Sequence, residues 1–108
     1  MKTHAVVFTP RAERQLAALY SYIADQSGAA RAEKFVGAIV ADCRALSTFP
    51  QRGAKRDDIR PGLRVMGFAR RVSIAFSIGA GTAVVTIHGV FYGGQDFEPL
   101  LREVESDA

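Results

Sequence analysis

The apolar residues of this chain change their spacing near Pro61. From Ala12 to Leu46 they recur at the 3.6-residue period of a helix, and from Leu63 to Tyr92 they alternate with the period of 2 that belongs to a strand. A chain patterned this way can bury both kinds of apolar face only by laying its helices on the sheet built from its second half. Its 108 residues are the length of one hydrophobic core, so residues 1–108 are read as a single domain.

The first half begins with a short strand, His4 to Phe8, with Val6 and Phe8 on one face. Thr9-Pro10 is a helix start: threonine is a good N-cap, and proline at the first helical position loses no hydrogen bond. Ala12, Leu16, Leu19, Tyr20 and Ile23 then form one stripe, broken at Ser27-Gly28. A second helix is predicted from Ala29 to Ser47, with Ala32, Phe35, Val36, Ile39, Val40, Cys43 and Leu46 covering a wider arc. The short connection makes the two an antiparallel hairpin, and Phe49-Pro50 stops the second helix.

Residues 50–62 are the longest irregular stretch, punctuated by Pro50, Gly53, Pro61 and Gly62. Strands follow at Leu63 to Phe68, at Arg71 to Ile78 and at Ala83 to Tyr92, with Gly79-Ala80-Gly81-Thr82 as a hairpin connection. In the middle strand Val72, Ile74, Phe76 and Ile78 face one way and Arg71, Ser73, Ala75 and Ser77 the other. After Gly93-Gly94, Asp96-Phe97-Glu98-Pro99 opens a short terminal helix to about Val104, with acids in its first turn. The expected fold is α+β, ordered β-α-α-β-β-β-α, with a helix hairpin packed on one face of a small antiparallel sheet and the other face polar-leaning.

No run of about 18 apolar residues is present, and Ala5-Val6-Val7-Phe8 is too short for a signal peptide. No membrane partner is expected, and a cytoplasmic location is the default. A single cysteine, Cys43, forms no internal disulfide, and it lies far from His4 and His88, so neither a metal nor a cofactor is expected. Charge is uneven: the acidic segment 96–108 carries a net −4 while residues 44–71 carry a net +6. Such a basic middle suits an anionic partner, nucleic acid or acidic peptide, and is equally what a solvated loop carries.

Neither a nucleophile–base pair nor a phosphate loop is recognisable. Arg64 and Arg71 fall on strands expected to pair, and His88 and Tyr92 are expected on one face of the next strand. Together they could cleave RNA, with histidine as acid or base and the guanidinium groups stabilising phosphorane charge. Four scattered residues make a weak motif, and the favoured reading is of solvated strand arginines, a polar histidine and an edge tyrosine. Tyr22 lies off the stripe of the first helix, where an exposed aromatic would be a contact anchor, and the loop 52–64 would attract an acidic peptide.

Several steps resemble the ParE branch of the RelE/ParE superfamily of bacterial type II toxins. They are Val-Phe-Thr-Pro-Arg-Ala at 7–12, Tyr22-Ile23-Ala24, Phe49-Pro50-Gln51-Arg52-Gly53, Pro61-Gly62-Leu63-Arg64 and Val90-Phe91-Tyr92-Gly93-Gly94-Gln95-Asp96-Phe97. The resemblance implies a toxin neutralised by a ParD-like antitoxin, a ribbon-helix-helix DNA-binding protein that alone contacts operator DNA. It implies that the free toxin inhibits or poisons DNA gyrase by contact, blocking replication without being an enzyme. It also implies an antitoxin site at Leu16, Leu19, Tyr20, Tyr22 and Ile23 on the helix side and at Arg64 and Arg71 on the sheet side.

RelE-like relatives instead cut mRNA on the ribosome, and Arg64, Arg71, His88 and Tyr92 would be the catalytic set here. This chain differs from them in its acidic end, Glu103 to Ala108. It differs from the ParE pattern in carrying Gln95 where an arginine is typical. A toxin fold kept only for antitoxin binding and operon co-repression is the third reading.

Overall fold

The computed structural model describes residues 3–93. Strand β1 (Ala5–Phe8) leads into helix α1 (Pro10–Ser27) and helix α2 (Ala29–Arg44), which continues as a 3-10 turn over Ala45–Ser47. Strands β2 (Ala54–Lys55), β3 (Leu63–Phe68), β4 (Val72–Ile78) and β5 (Val84–Tyr92) complete it. The predicted terminal helix, Asp96 to Val104, lies outside the described residues.

Thr9 is the N-cap of α1: its Oγ1 accepts the Ala12 amide at 3.1 Å, and Pro10 opens the helix. Gly28, with φ of 96°, ends α1 and begins α2. The apolar stripes meet the sheet as their spacing required. Leu19, Ile23, Ile39, Cys43 and Leu46 are buried against Ile74, Phe76, Val85 and Ile87. Burial pushes the Cys43 thiol up to about 12, with Asp42 adding to the effect.

The sheet corrects three expectations. It is mixed rather than antiparallel, in the order β1-β5-β4-β3-β2, because β1 runs parallel to β5 from Ala5 opposite Val84 to Phe8 opposite Ile87. The long crossover through the helix hairpin and the meander lets the two strands run the same way. The irregular stretch 50–62 contributes an edge strand, β2, with Ala54 opposite Val65 and Lys55 opposite Arg64. It also covers part of the face expected to be polar. Ile59 packs there with Leu63, Ala75 and Phe91, and Val65 lies against them, in a second small core.

The loop closes by backbone geometry that glycine permits. Arg60, Pro61, Gly62 and Leu63 form a type II turn, with the Leu63 amide donating to the Arg60 carbonyl at 3.1 Å and Gly62 at φ of 82°. Gly53 has φ of 74°, and a Cβ there would stand 2.4 Å from the Val65 carbonyl oxygen, so β2 approaches β3 only because that atom is absent. The Phe-Pro-x-x-Gly and Pro-Gly-Leu-Arg steps thus mark the two points that fold the loop onto the sheet.

Two outcomes follow. Gly53→Ala should lower unfolding stability by about 2–4 kcal/mol and Gly62→Ala, which meets open space, by only about 1 kcal/mol; urea denaturation compares them. The Cys43 thiol should resist Ellman's reagent in the folded chain and react fully once it is unfolded.

Candidate functional site

The decisive local feature lies in β5. Its ladder with β4 runs Val85, Thr86 and Ile87 opposite Ile78, Ser77 and Phe76, then resumes with Gly89 opposite Ala75. His88 is therefore the extra residue of a bulge. A bulge shifts side-chain alternation by one. Val85 and Ile87 face the helices before it, and Val90 and Tyr92 face them after it, whereas Phe91 joins the second core. His88 and Tyr92, expected on one face, are on opposite faces.

His88 turns toward β4, where its Nε2 lies 2.7 Å from Ser77 Oγ. Burial, then the nearby charges of Arg60 and Arg11, lowers its pKa from 6.5 to about 4. At neutral pH the ring is uncharged. Its backbone is held from the other side, since the Thr9 hydroxyl donates to the His88 carbonyl at 3.3 Å and the Val90 amide donates to Gln15 Oε1 at 2.7 Å.

The two arginines are no closer to forming a cluster. Arg64, in β3 opposite Phe76, donates from Nε to the Arg52 carbonyl at 2.9 Å, and Arg52 in turn pairs with Asp42 of α2 at 3.3 Å. It anchors the loop. Arg71 is exposed in the turn before β4, and its carbonyl accepts the Gly93 amide at 2.8 Å. Five residues separate it from the position opposite Arg64, roughly 17 Å of strand. The four residues considered for RNA cleavage are thus spread over both faces and two ends of the sheet. Among the described residues no three His, Cys, Asp or Glu side chains are grouped as metal ligands.

The helix side gathers what the far side does not. Tyr92 lies 5.9 Å from Tyr22 and 6.4 Å from Phe35, and Phe35 packs edge-on to Phe68 at 5.7 Å. This aromatic cluster caps the sheet where β3 and β5 end. Tyr22 is 53% exposed and stands between two grooves. One, of about 340 Å³, is lined by Gln15, Ala18, Leu19, Tyr22, Val90 and Tyr92. The other, of about 270 Å³, runs past Tyr22, Arg31, Phe35 and Tyr92. An aromatic half exposed between two grooves, one of them edged by Arg31, has the form that contact anchors take.

Of the other helix residues considered for partner binding, Leu19 and Ile23 are buried and Leu16 and Tyr20 are packed against the core. Phe35, Phe68 and Gln15 join the surface without having been singled out from the sequence. The aromatic ends of β3 and β5 were the available signal. Phe49, at the helix stop, is 67% exposed.

Because His88 is held neutral, its contribution to stability is full above about pH 6.5. It falls as the pH drops toward 4, where the unfolded chain takes up a proton that the folded one refuses. That loss should be about 1–3 kcal/mol, and His88→Asn should flatten it; urea unfolding of both chains between pH 7 and 4 measures the difference.

The family described as the ParE toxin of the type II toxin–antitoxin system parDE matches residues 6–97. A search of the curated proteins found no match. Among solved structures, the chromosomal ParDE system of P. aeruginosa is 24% identical, with a TM-score of 0.72 over 84% of this chain and 97% of that one. The RelBE2 toxin–antitoxin complex of Mycobacterium tuberculosis is 21% identical, with a TM-score of 0.63 over 88% of this chain and 97% of that one. Both share the fold. The family match spans both strand ends, the aromatic cluster and the two loop glycines, and the chain belongs to the ParE toxins of type II toxin–antitoxin systems.

Proposed function

We propose that this toxin is neutralised by a ParD-like antitoxin and that, when free, it inhibits DNA gyrase by protein–protein contact rather than by catalysis. The observation that carries the reading is the family match over residues 6–97. The ParDE likeness of the fold agrees with it. The sheet supports the contact mechanism. A ribonuclease site needs an acid or base and phosphate-binding cations around one scissile bond. Here His88 is neutral against Ser77, Arg64 is bonded to a carbonyl, and Tyr92 belongs to the opposite face.

The antitoxin surface in this reading centres on Tyr22 and the grooves beside it. A helical segment laid there meets apolar walls with Arg31 at the edge, so an amphipathic segment with acids on its flank fits. Arg64 acts indirectly, by fixing the loop through the Arg52 carbonyl, and Arg71 at the exposed turn is the sheet-side cation. Operator DNA is reached through the antitoxin.

The direct test is gyrase supercoiling with purified toxin, with and without its antitoxin, scored for inhibition and for trapped cleaved DNA. Inhibition relieved by antitoxin is expected. No effect at large molar excess, from toxin that still binds antitoxin, would sink the gyrase target. Tyr22→Ala should weaken antitoxin binding about 10- to 100-fold with little change in folding, measured by calorimetric titration. Leu19→Ala should instead cost about 2–5 kcal/mol of stability because the side chain is core.

A further inference from the structure

The connection between β3 and β4 departs from the backbone chemistry that a tight turn favours. Residues Ala69 to Arg71 join Phe68 to Val72 opposite it. Ala69 has φ of 51° and Arg70 has φ of 67°, and among the described residues these two are the non-glycine residues at positive φ. An L side chain is crowded by the backbone in that region, which glycine, asparagine and aspartate enter at least cost. All three connecting residues are exposed, so core packing does not account for an alanine and an arginine there. Local strain of this kind is kept where a site uses the side chains it presents.

The turn is nevertheless firmly held. The Arg71 carbonyl accepts the Gly93 amide at 2.8 Å, and Phe68 at its base packs edge-on to Phe35 of α2 at 5.7 Å. Beside Phe35, α2 carries Arg31 and Lys34, both exposed, which line a groove of about 700 Å³ whose walls do not include Glu33. Four cations therefore share this end of the molecule, two on the hairpin tip and two on α2. Among the described residues none of the four is in an ion pair, since Asp42 is taken by Arg52 and Asp58 by Arg56.

We infer that this end of the molecule, with Arg70 and Arg71 on the strained tip and Arg31 and Lys34 beside it, binds the phosphate backbone of duplex DNA. Rigidly placed cations without carboxylate partners lose little on meeting phosphates and release the counterions held there. The choice of DNA over another polyanion rests on the gyrase reading above, whose target works on DNA. Backbone contacts carry no sequence information, so operator recognition stays with the antitoxin. An antitoxin seated at Arg31 and Arg71 covers half of these cations.

The test is fluorescence anisotropy of a labelled 20-base-pair duplex with the full chain, without gyrase, so that this inference and the gyrase reading fail separately. Four phosphate contacts predict an affinity that falls about 100-fold between 50 and 200 mM salt. With Arg70→Gln and Arg71→Gln together the fall should shrink to about tenfold, whereas Lys55→Gln, on the far edge strand, should leave it unchanged. Ala69→Asn should raise the urea midpoint and keep DNA binding, and Arg70→Asn should raise the midpoint and weaken binding. No binding at 50 mM salt, an unchanged salt dependence in the double variant, or an equal loss in Lys55→Gln would overturn the proposal. A lower urea midpoint in Arg70→Asn would overturn it as well, and so would tighter binding to polyglutamate than to the duplex, which would assign the tip to an acidic protein surface.

Discussion

The bulge at His88 is the constraint on which the rest of this structure depends. One inserted residue reverses the facing of everything after it in β5, so Val90 and Tyr92 point at the helices while His88 and Phe91 do not. The inserted stretch must also be held along its outer side, where β1 has ended. Thr9 and Gln15 supply the partners there, binding the His88 carbonyl and the Val90 amide. The first turns of α1 thereby fix the end of β5, and through Tyr92 they fix the aromatic cluster. Gly89 completes the arrangement, because a Cβ there would stand 2.5 Å from the Phe91 ring.

Much of the fold was legible because its signals are local. Thr9-Pro10, Gly28 and Phe49-Pro50 carry their backbone preferences in their own chemistry, and the period change announced the meander. What escaped depends on partners. Alternation in Ala5–Phe8 marks a strand but not whether its neighbour runs parallel. Ala54–Lys55 is too short to carry a period. The bulge left a trace: a glycine within a strand, and apolar residues that shift from 85 and 87 to 90 and 92. Reading that run as unbroken put His88 beside Tyr92. Burial also divided the helix residues considered for binding, since one stripe cannot both pack the core and meet a partner, and only Tyr22 lies off it.

The sheet consequently has two differently used faces. The helix side ends in an exposed aromatic between grooves, the form a contact surface takes. The far side is partly sealed by the loop around Ile59, and its histidine is neutral and bonded to serine. Arg64 and the two loop glycines have work that the fold itself explains. Two of the five motifs by which this chain resembles ParE toxins fold loop 50–62 onto β3, and a third, through Thr9-Pro10, starts α1. They identify a scaffold more directly than they identify a target.

The central proposal is that this scaffold acts by contact, with the four candidate residues Arg64, Arg71, His88 and Tyr92 not brought together as a cleavage site among the described residues. It is tested most directly by mapping mRNA ends on translating ribosomes given purified toxin, at a concentration that arrests growth when reached in cells. The account predicts intact message, with the wild type and a His88→Ala variant indistinguishable. Cleavage by the wild type that disappears in His88→Ala or Tyr92→Phe would contradict it.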